Sequence, residues 1–373
     1  MLAEAYVAPR ILDLREEIDL RSPNTGTARH GERVEIVQRR RRFFRVRTES
    51  GAVGWTDHRM LLNKDEITIV LRMEELAAKL PSQGVATVFD LLNAHLEPYR
   101  QSPTIFQLKE SERVDVLAYQ VMPRVAPERK PLIPPPPPPK PIAKKAKKEP
   151  TISPPPAPPA PSLPANWLDL SKTPRAPEEE AAEQAKKAPP PPELDDWALV
   201  RLKSDEVGWV LASRLYMMIP DEVAQYAEGR RITSYFSLGE VQDGDQKKHH
   251  WLWTTIGQRN QPYDFEIFRV FIWNTRRHRY ETAYAERNRV GNLPVIVKGQ
   301  QFSLCMEGND GERYRRTYEL QVNIVRFLGE EPCGARPSEV LVAKLQDGLE
   351  PPEEPKAPQQ VTWMDRVKRW FHD

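Results

Sequence analysis

A sequence that repeats must fold each copy into the same kind of unit, and this chain repeats with its second copy broken open. Residues 32–37 read ERVEIV and residues 112–117 read ERVDVL, an offset of 80. Residues 43–62, FFRVRTESGAVGWTDHRMLL, return at 197–216 as WALVRLKSDEVGWVLASRLY, an offset of 154. The second copy therefore holds 154 minus 80, or 74, extra residues at a point where the first makes a short turn. Proline marks the interruption, since 24 of the chain's 38 prolines fall between positions 123 and 192. Proline fixes φ and lacks an N–H, so residues 134–139 (all Pro) and the lysines that follow read as polyproline II or disordered chain, a stiff spacer. Outside this window roughly 300 of the 373 residues remain, enough for two or three small domains.

Within each copy the pattern is β. Val34, Ile36, Phe44 and Val46 alternate with polar residues, as half-buried strands require. Ser50-Gly51 supplies a turn in the first copy, and Val53-Gly54-Trp55 is matched by Val207-Gly208-Trp209, where a glycine beside a bulky ring permits a close backbone approach.

The order of short strand, loop, paired Val-x-Val strands, turn and Gly-Trp followed by an apolar-Leu end resembles the bacterial SH3-like (SH3b) domain, a five-stranded barrel of about sixty residues. The resemblance covers about a hundred residues. The second copy departs from it: Ser111 stands for Gly31, Asp205-Glu206 replaces the Gly51 turn, and the loop after Leu117 is greatly lengthened. The chain is similar to envelope-associated tandem SH3b proteins with a β region after the second module. That resemblance implies cell-envelope peptides, cell-wall polymers or envelope proteins as ligands and an extracytoplasmic location, in the periplasm or cell envelope.

The expected organisation is mainly β: a first barrel over 1–63, a helical linker over 64–84, and a second barrel over 85–218 split by a Pro-rich insertion at 123–194. An antiparallel β domain follows over 219–331, then a disordered linker over 332–360 and an amphipathic helix over 361–373. In the linker, Ile69, Val70, Met73, Leu76, Ala77 and Leu80 fall at helical spacing, with Asp65 as the expected N-cap and Pro81 just beyond the end. A short helix with Pro220 in its first turn is expected to end near Gly229. Eight strand-like runs between Ile232 and Leu328 then follow, with Asn309-Asp310-Gly311 marking a hairpin turn.

Composition narrows the function. Lys plus Arg number 55 against 53 Asp plus Glu, a net charge of +2 that argues against a globally basic nucleic-acid binder. No run approaches eighteen apolar residues, so no membrane-spanning helix is expected, and no signal peptide is read in MLAEAYVAPRILDLREE. The two cysteines, Cys305 and Cys333, do not have zinc-ligand spacing and form at most one bridge. His249-His250 lacks a carboxylate or cysteine at metal spacing and reads as a surface strand start, so no metal or cofactor is expected. No nucleophile elbow, P-loop, dinucleotide fingerprint or HExxH motif occurs, and the chain is read as non-enzymatic.

The candidate ligand-binding residues are Phe44, Trp55, Trp197 and Trp209, which would line an aromatic groove for an extended ligand; the plainer role of such rings is to close a small core. Arg39 to Arg42, with Arg45 and Arg47 interleaved around Phe43 and Phe44, suits an anionic polymer, and the plainer reading is a solvated hairpin tip. In the tail, Trp363, Met364, Val367, Trp370 and Phe371 share one helical face, with Arg366, Lys368 and Arg369 elsewhere. That segment is expected to contact a membrane peripherally, dock a partner, or pack on its own domain. The function expected is binding or scaffolding without nucleic acid. The alternatives are an accessory module of an envelope hydrolase, with activity in 219–331, and a cytoplasmic adaptor.

Overall fold

The computed structural model describes residues 2–19, 21–125, 129–133 and 192–346. Period-two alternation gives the first seven strands one apolar face each: β1 (Ala3–Val7), β2 (Ile11–Arg15), β3 (Asn24–Arg29), β4 (Arg33–Arg40), β5 (Phe43–Thr48), β6 (Val53–Asp57) and β7 (Leu61–Leu62). They pair antiparallel in the order β3-β2-β6-β5-β4-β1-β7 and curl around Ala5, Val7, Leu14, Val34, Ile36, Val46 and Leu61, none more than 1% exposed. Gly54 is required where β6 crosses β2, because a Cβ there would lie 2.8 Å from the Leu14 Cβ and 2.9 Å from the Arg15 carbonyl oxygen.

The second module repeats this arrangement strand for strand. Its elements are β8 (Val85–Val88), β9 (Leu92–His95), β10 (Thr104–Leu108), β11 (Arg113–Pro123), β12 (Leu194–Arg201), β13 (Val207–Leu211) and β14 (Leu215–Met217), in the order β10-β9-β13-β12-β11-β8-β14. Gly208 meets the same constraint as Gly54, with a Cβ there falling 2.9 Å from the Ala94 Cβ. The chain leaves β11 at Pro123 and re-enters opposite it at Leu194, so the Pro-rich insertion springs from the hairpin end that Arg40 and Phe43 close in the first module. Lengthening a hairpin loop costs only about 0.6 kcal/mol per doubling, which is why the ladder tolerates it. The insertion itself lies outside the described residues apart from its ends.

Helix α1 (Lys64–Ala78) joins the modules. Its N-cap is Asn63, not the expected Asp65: Asn63 Oδ1 accepts from the Glu66 N–H at 2.9 Å and Glu66 returns the bond to the Asn63 N–H at 2.7 Å. This reciprocal capping box satisfies two N-terminal donors that an Asp65 cap would leave open.

Beyond the second module Pro220 caps α2 (Asp221–Ala224) from outside rather than lying in its first turn. Two four-stranded meanders follow. The first comprises β15 (Arg231–Asp243), β16 (Gln246–Ile256), β17 (Ile267–Asn274) and β18 (Arg279–Glu286); the second β19 (Gly291–Lys298), β20 (Gln301–Glu307), β21 (Arg313–Gln321) and β22 (Ile324–Pro332). Leu238, Leu252, Phe268 and Val270 of one meet Val295, Phe302, Leu304 and Tyr318 of the other in a core continuous with that of the second module. A disulfide links Cys305 to Cys333.

The expected disordered linker after residue 332 is corrected over its first part. Pro337–Gln346 form helix α3, with Leu341 and Leu345 at 3% and 5% exposure in the shared core. The Pro and Glu of the segment around it concealed Leu341 and Leu345, one helical turn apart. The candidate tail residues Trp363, Val367, Trp370 and Phe371 lie outside the described residues.

Candidate functional site

Alternation along the strands sends every second side chain of the first module outward, and register lines them up. Gln38, Arg45, Trp55 and Arg15 form a row across β4, β5, β6 and β2, and Arg40, Phe43 and Asp57 form the next. Trp55 is half-buried in this outer face. The Arg42 guanidinium lies 4.9 Å from the centroid of the Phe43 ring and 3.5 Å from Asp57, and Arg47 lies 3.6 Å from Glu35. Among the described residues Arg40, Arg41 and Arg45 have no carboxylate partner, so the face keeps uncompensated positive charge beside two aromatic rings. Guanidinium planes and indole faces together suit ligands bearing phosphate or carboxylate groups on an extended backbone.

The other three candidate groove residues are corrected to core. Phe44 is 6% exposed and turns inward beside Ile36 and Val46, while Trp197 and Trp209 are 1% and 0% exposed. The cause is α1. Its Ile69, Val70, Met73 and Ala77 join Trp197, Leu199 and Trp209 in one apolar cluster, covering the face whose counterpart stays open in the first module. Arg201 donates to the Ala77 carbonyl at 3.3 Å across that seam. His95 sits edge-on to Trp197 with ring centroids 5.4 Å apart, and burial pushes its pKa down against the opposing effect of its bond to the Ser102 carbonyl.

The start of the insertion secures the helix. Arg129 holds Glu66 through two bonds of 2.5 and 2.8 Å and donates to the Leu61 carbonyl at 2.6 Å, while Leu132 and Ile133 pack against the core of the first module. Burial, followed by the Glu66 charge, raises the Glu97 carboxyl, and Arg129 works against that rise.

A second cluster, which no sequence motif signalled, lies where the second module meets the meanders. Asp195 accepts two bonds from Arg100 at 2.7 and 2.8 Å and one from Arg124 at 3.3 Å. Its neighbour Asp196, on the opposite face of β12, accepts from Arg231 at 3.0 Å and from the Asn260 N–H at 2.8 Å. Asp264 is bound by the Arg336 guanidinium and the Leu293 N–H, and Arg336 also donates to the Tyr119 carbonyl at 3.2 Å. Burial raises the Asp264 carboxyl while Arg336 opposes the shift. The open space here is about 10 Å³, room for a single water, and each carboxylate already has an arginine. The Arg231–Asp196 pair, and Arg336 through the Tyr119 carbonyl, tie the second module to the meanders. The only sequence signal was the adjacent pair Asp195-Asp196 in a strand whose other residues, apart from Arg201, are apolar.

His249 Nδ1 lies 3.0 Å from the Ser237 hydroxyl, and His250 Nδ1 accepts from the Trp273 N–H at 3.1 Å. Among the described residues no group of three ligating side chains is arranged to hold a metal ion, and no helix is long and apolar enough to cross a membrane.

No family model matches the chain and no curated protein matches it. Among solved structures, the crystal structure of an NlpC/P60 family protein from Bacillus cereus ATCC 10987 aligns over 88% of this chain and 94% of its own length, at 10% identity and a TM-score of 0.18, a likeness too loose to define a fold.

Proposed function

We propose that the chain is a non-catalytic binding protein of the cell envelope with two SH3b-like modules, and that its first module binds an anionic cell-wall polymer. One observation carries this reading: the two modules share a strand order, yet the outer sheet face of the first stays open, where Trp55 pairs across the sheet with Arg45, which among the described residues has no carboxylate partner. The second module serves as the scaffold that α1 seals. The Cys305–Cys333 disulfide supports an extracytoplasmic setting, because such bridges persist in oxidising compartments.

The test is co-sedimentation of the full chain with purified cell walls and competition by soluble wall polymer. Arg45→Ala should weaken binding by about tenfold at low salt and less at high salt, as a screened charge contact must. Trp55→Ala should weaken it at both. If both variants bind as the wild type does, or if duplex DNA competes as well as the wall polymer, the reading fails.

A further inference from the structure

The two modules differ in charge at equivalent places of the same ladder. In the first, Arg33 lies 3.1 Å from Glu4 and 3.5 Å from Glu49 on the strands to either side. In the second, Arg113 takes the place of Arg33, but Lys203 stands where Glu49 does and Val85 where Glu4 does. Arg113 and Lys203 continue the ladder two positions beyond the Asp115–Arg201 pair, so a cation now faces a cation. Like charges set opposite each other on adjacent strands are destabilising, and the fold gains nothing from the exchange. Among the described residues neither Arg113 nor Lys203 has a carboxylate partner.

The two cations border an open cleft of about 500 Å³, lined by residues 111–113, residues 202–204 and Arg10 of the first module. That volume suits a small-molecule ligand. Arg10 closes one side with its charge already matched, since its guanidinium is held by Glu206 and donates to the Ser204 hydroxyl at 2.9 Å. Glu112 is the carboxylate in the lining, and it accepts from the Lys109 N–H at 2.8 Å, as Glu32 does from the Arg29 N–H in the first module. Asp205, on the same turn as Lys203, does not line the cleft. The first module thus sets Glu4, Glu32 and Glu49 around Arg33, whereas the second sets Glu112 alone against Arg113 and Lys203.

A further difference falls in the same cleft. Gly31, at a φ of +74°, turns the chain between β3 and β4, and its equivalent Ser111 keeps a φ of +61°. Serine is held there in the left-handed region that glycine occupies freely. Its hydroxyl has no hydrogen-bond partner among the described residues. Backbone strain that presents a hydroxyl beside two uncompensated cations points to a ligand. A phosphate monoester fits these groups, because its charge of about −1.5 to −2 matches two cations and its three terminal oxygens can meet a guanidinium, an ammonium and a hydroxyl at once. A carboxylate brings one charge and two oxygens.

We propose that the cleft between the modules binds a small phosphorylated molecule, its phosphate set between Arg113, Lys203 and Ser111. This does not rest on the wall-polymer reading, which uses Arg45 and Trp55. Calorimetric titration of the full chain with glycerol 3-phosphate tests it, and acetate should bind at least about tenfold more weakly. Lys203→Glu, which restores opposite Arg113 the ion pair of the first module, should weaken binding by about tenfold or more and melt no lower than the wild type. Ser111→Gly should also melt no lower, while weakening binding severalfold. The inference is overturned if the wild type takes up no glycerol 3-phosphate, if acetate binds as well, or if Lys203→Glu leaves the affinity unchanged. Binding lost in Arg45→Ala and kept in Lys203→Glu would move the phosphate to the outer face of the first module and equally overturn it.

Discussion

Trp55 and Trp209 occupy the same place in two equivalent sheets, each paired across its strand with β5 or β12, yet Trp55 is half-buried on an open face and Trp209 is fully enclosed beneath α1. The same Gly-Trp pair thus forms a surface in one module and a core in the other.

That difference predicts opposite phenotypes. Trp209→Ala should cost about 3–5 kcal/mol by leaving a large cavity under α1. Trp55→Ala should stay within about 1 kcal/mol, because the partly exposed ring leaves no void. Urea denaturation of the two variants side by side checks the pair, and equal losses would place both rings in comparable surroundings.

Arg336 is 5% exposed and binds an Asp264 that is 3% exposed. Arg336→Met should therefore cost about 3–5 kcal/mol, mostly the penalty of a carboxylate left in the interior. Adding Asp264→Leu should recover a large part of that loss, because the pair's mutual attraction is set against the desolvation of both partners. A double-mutant cycle measured by denaturation distinguishes this from loss of packing by α3, which the second substitution would not repair.

The Asp195 carboxyl is held below the ordinary aspartate range, first by the Arg100 hydrogen bonds and then by Arg124. A carboxylate whose pKa is lower folded than unfolded adds stability above the unfolded value of about 3.9 and loses it as pH falls through the lower folded value. Asp195→Asn should thus flatten the acid limb of a melting temperature against pH profile below about pH 5, and cost about 1–2 kcal/mol at neutral pH. An acid limb as steep as that of the wild type would show that other carboxylates set it.

The Cys305–Cys333 bridge spans 28 residues. By the loop-entropy account a bridge of that span is worth about 3–4 kcal/mol, so a reductant should lower the free energy of unfolding by that amount. Thiol titration of protein taken from its native compartment under alkylating conditions should find no free cysteine. Two free thiols there would remove the support that the bridge lends to an extracytoplasmic setting.

Much of the architecture was legible in the chain. The offsets of 80 and 154 located both modules and the insertion between β11 and β12, because paired strands carry period-two signals that survive a long interruption. The eight strands of the meanders were visible for the same reason, as was the helical stripe of α1, although its cap was misplaced by two residues. Helix α3 was missed because proline and glutamate dominate its neighbourhood, and only its contact with the core makes it stable.

The site divides along a similar line. Sequence alone determined that Gly-Trp pairs, arginines and aromatics lie on sheet strands, since alternation and turn chemistry are local. It did not determine which aromatic faces water. Phe44 turned inward, Trp197 and Trp209 went under α1, and Trp55 remained outside, and each outcome depended on which neighbouring element packed on which face. Burial belongs to the tertiary arrangement: two copies that share a Gly-Trp pair differ because α1 packs over the one that sets Leu199 beside its tryptophan, where the other sets Arg45.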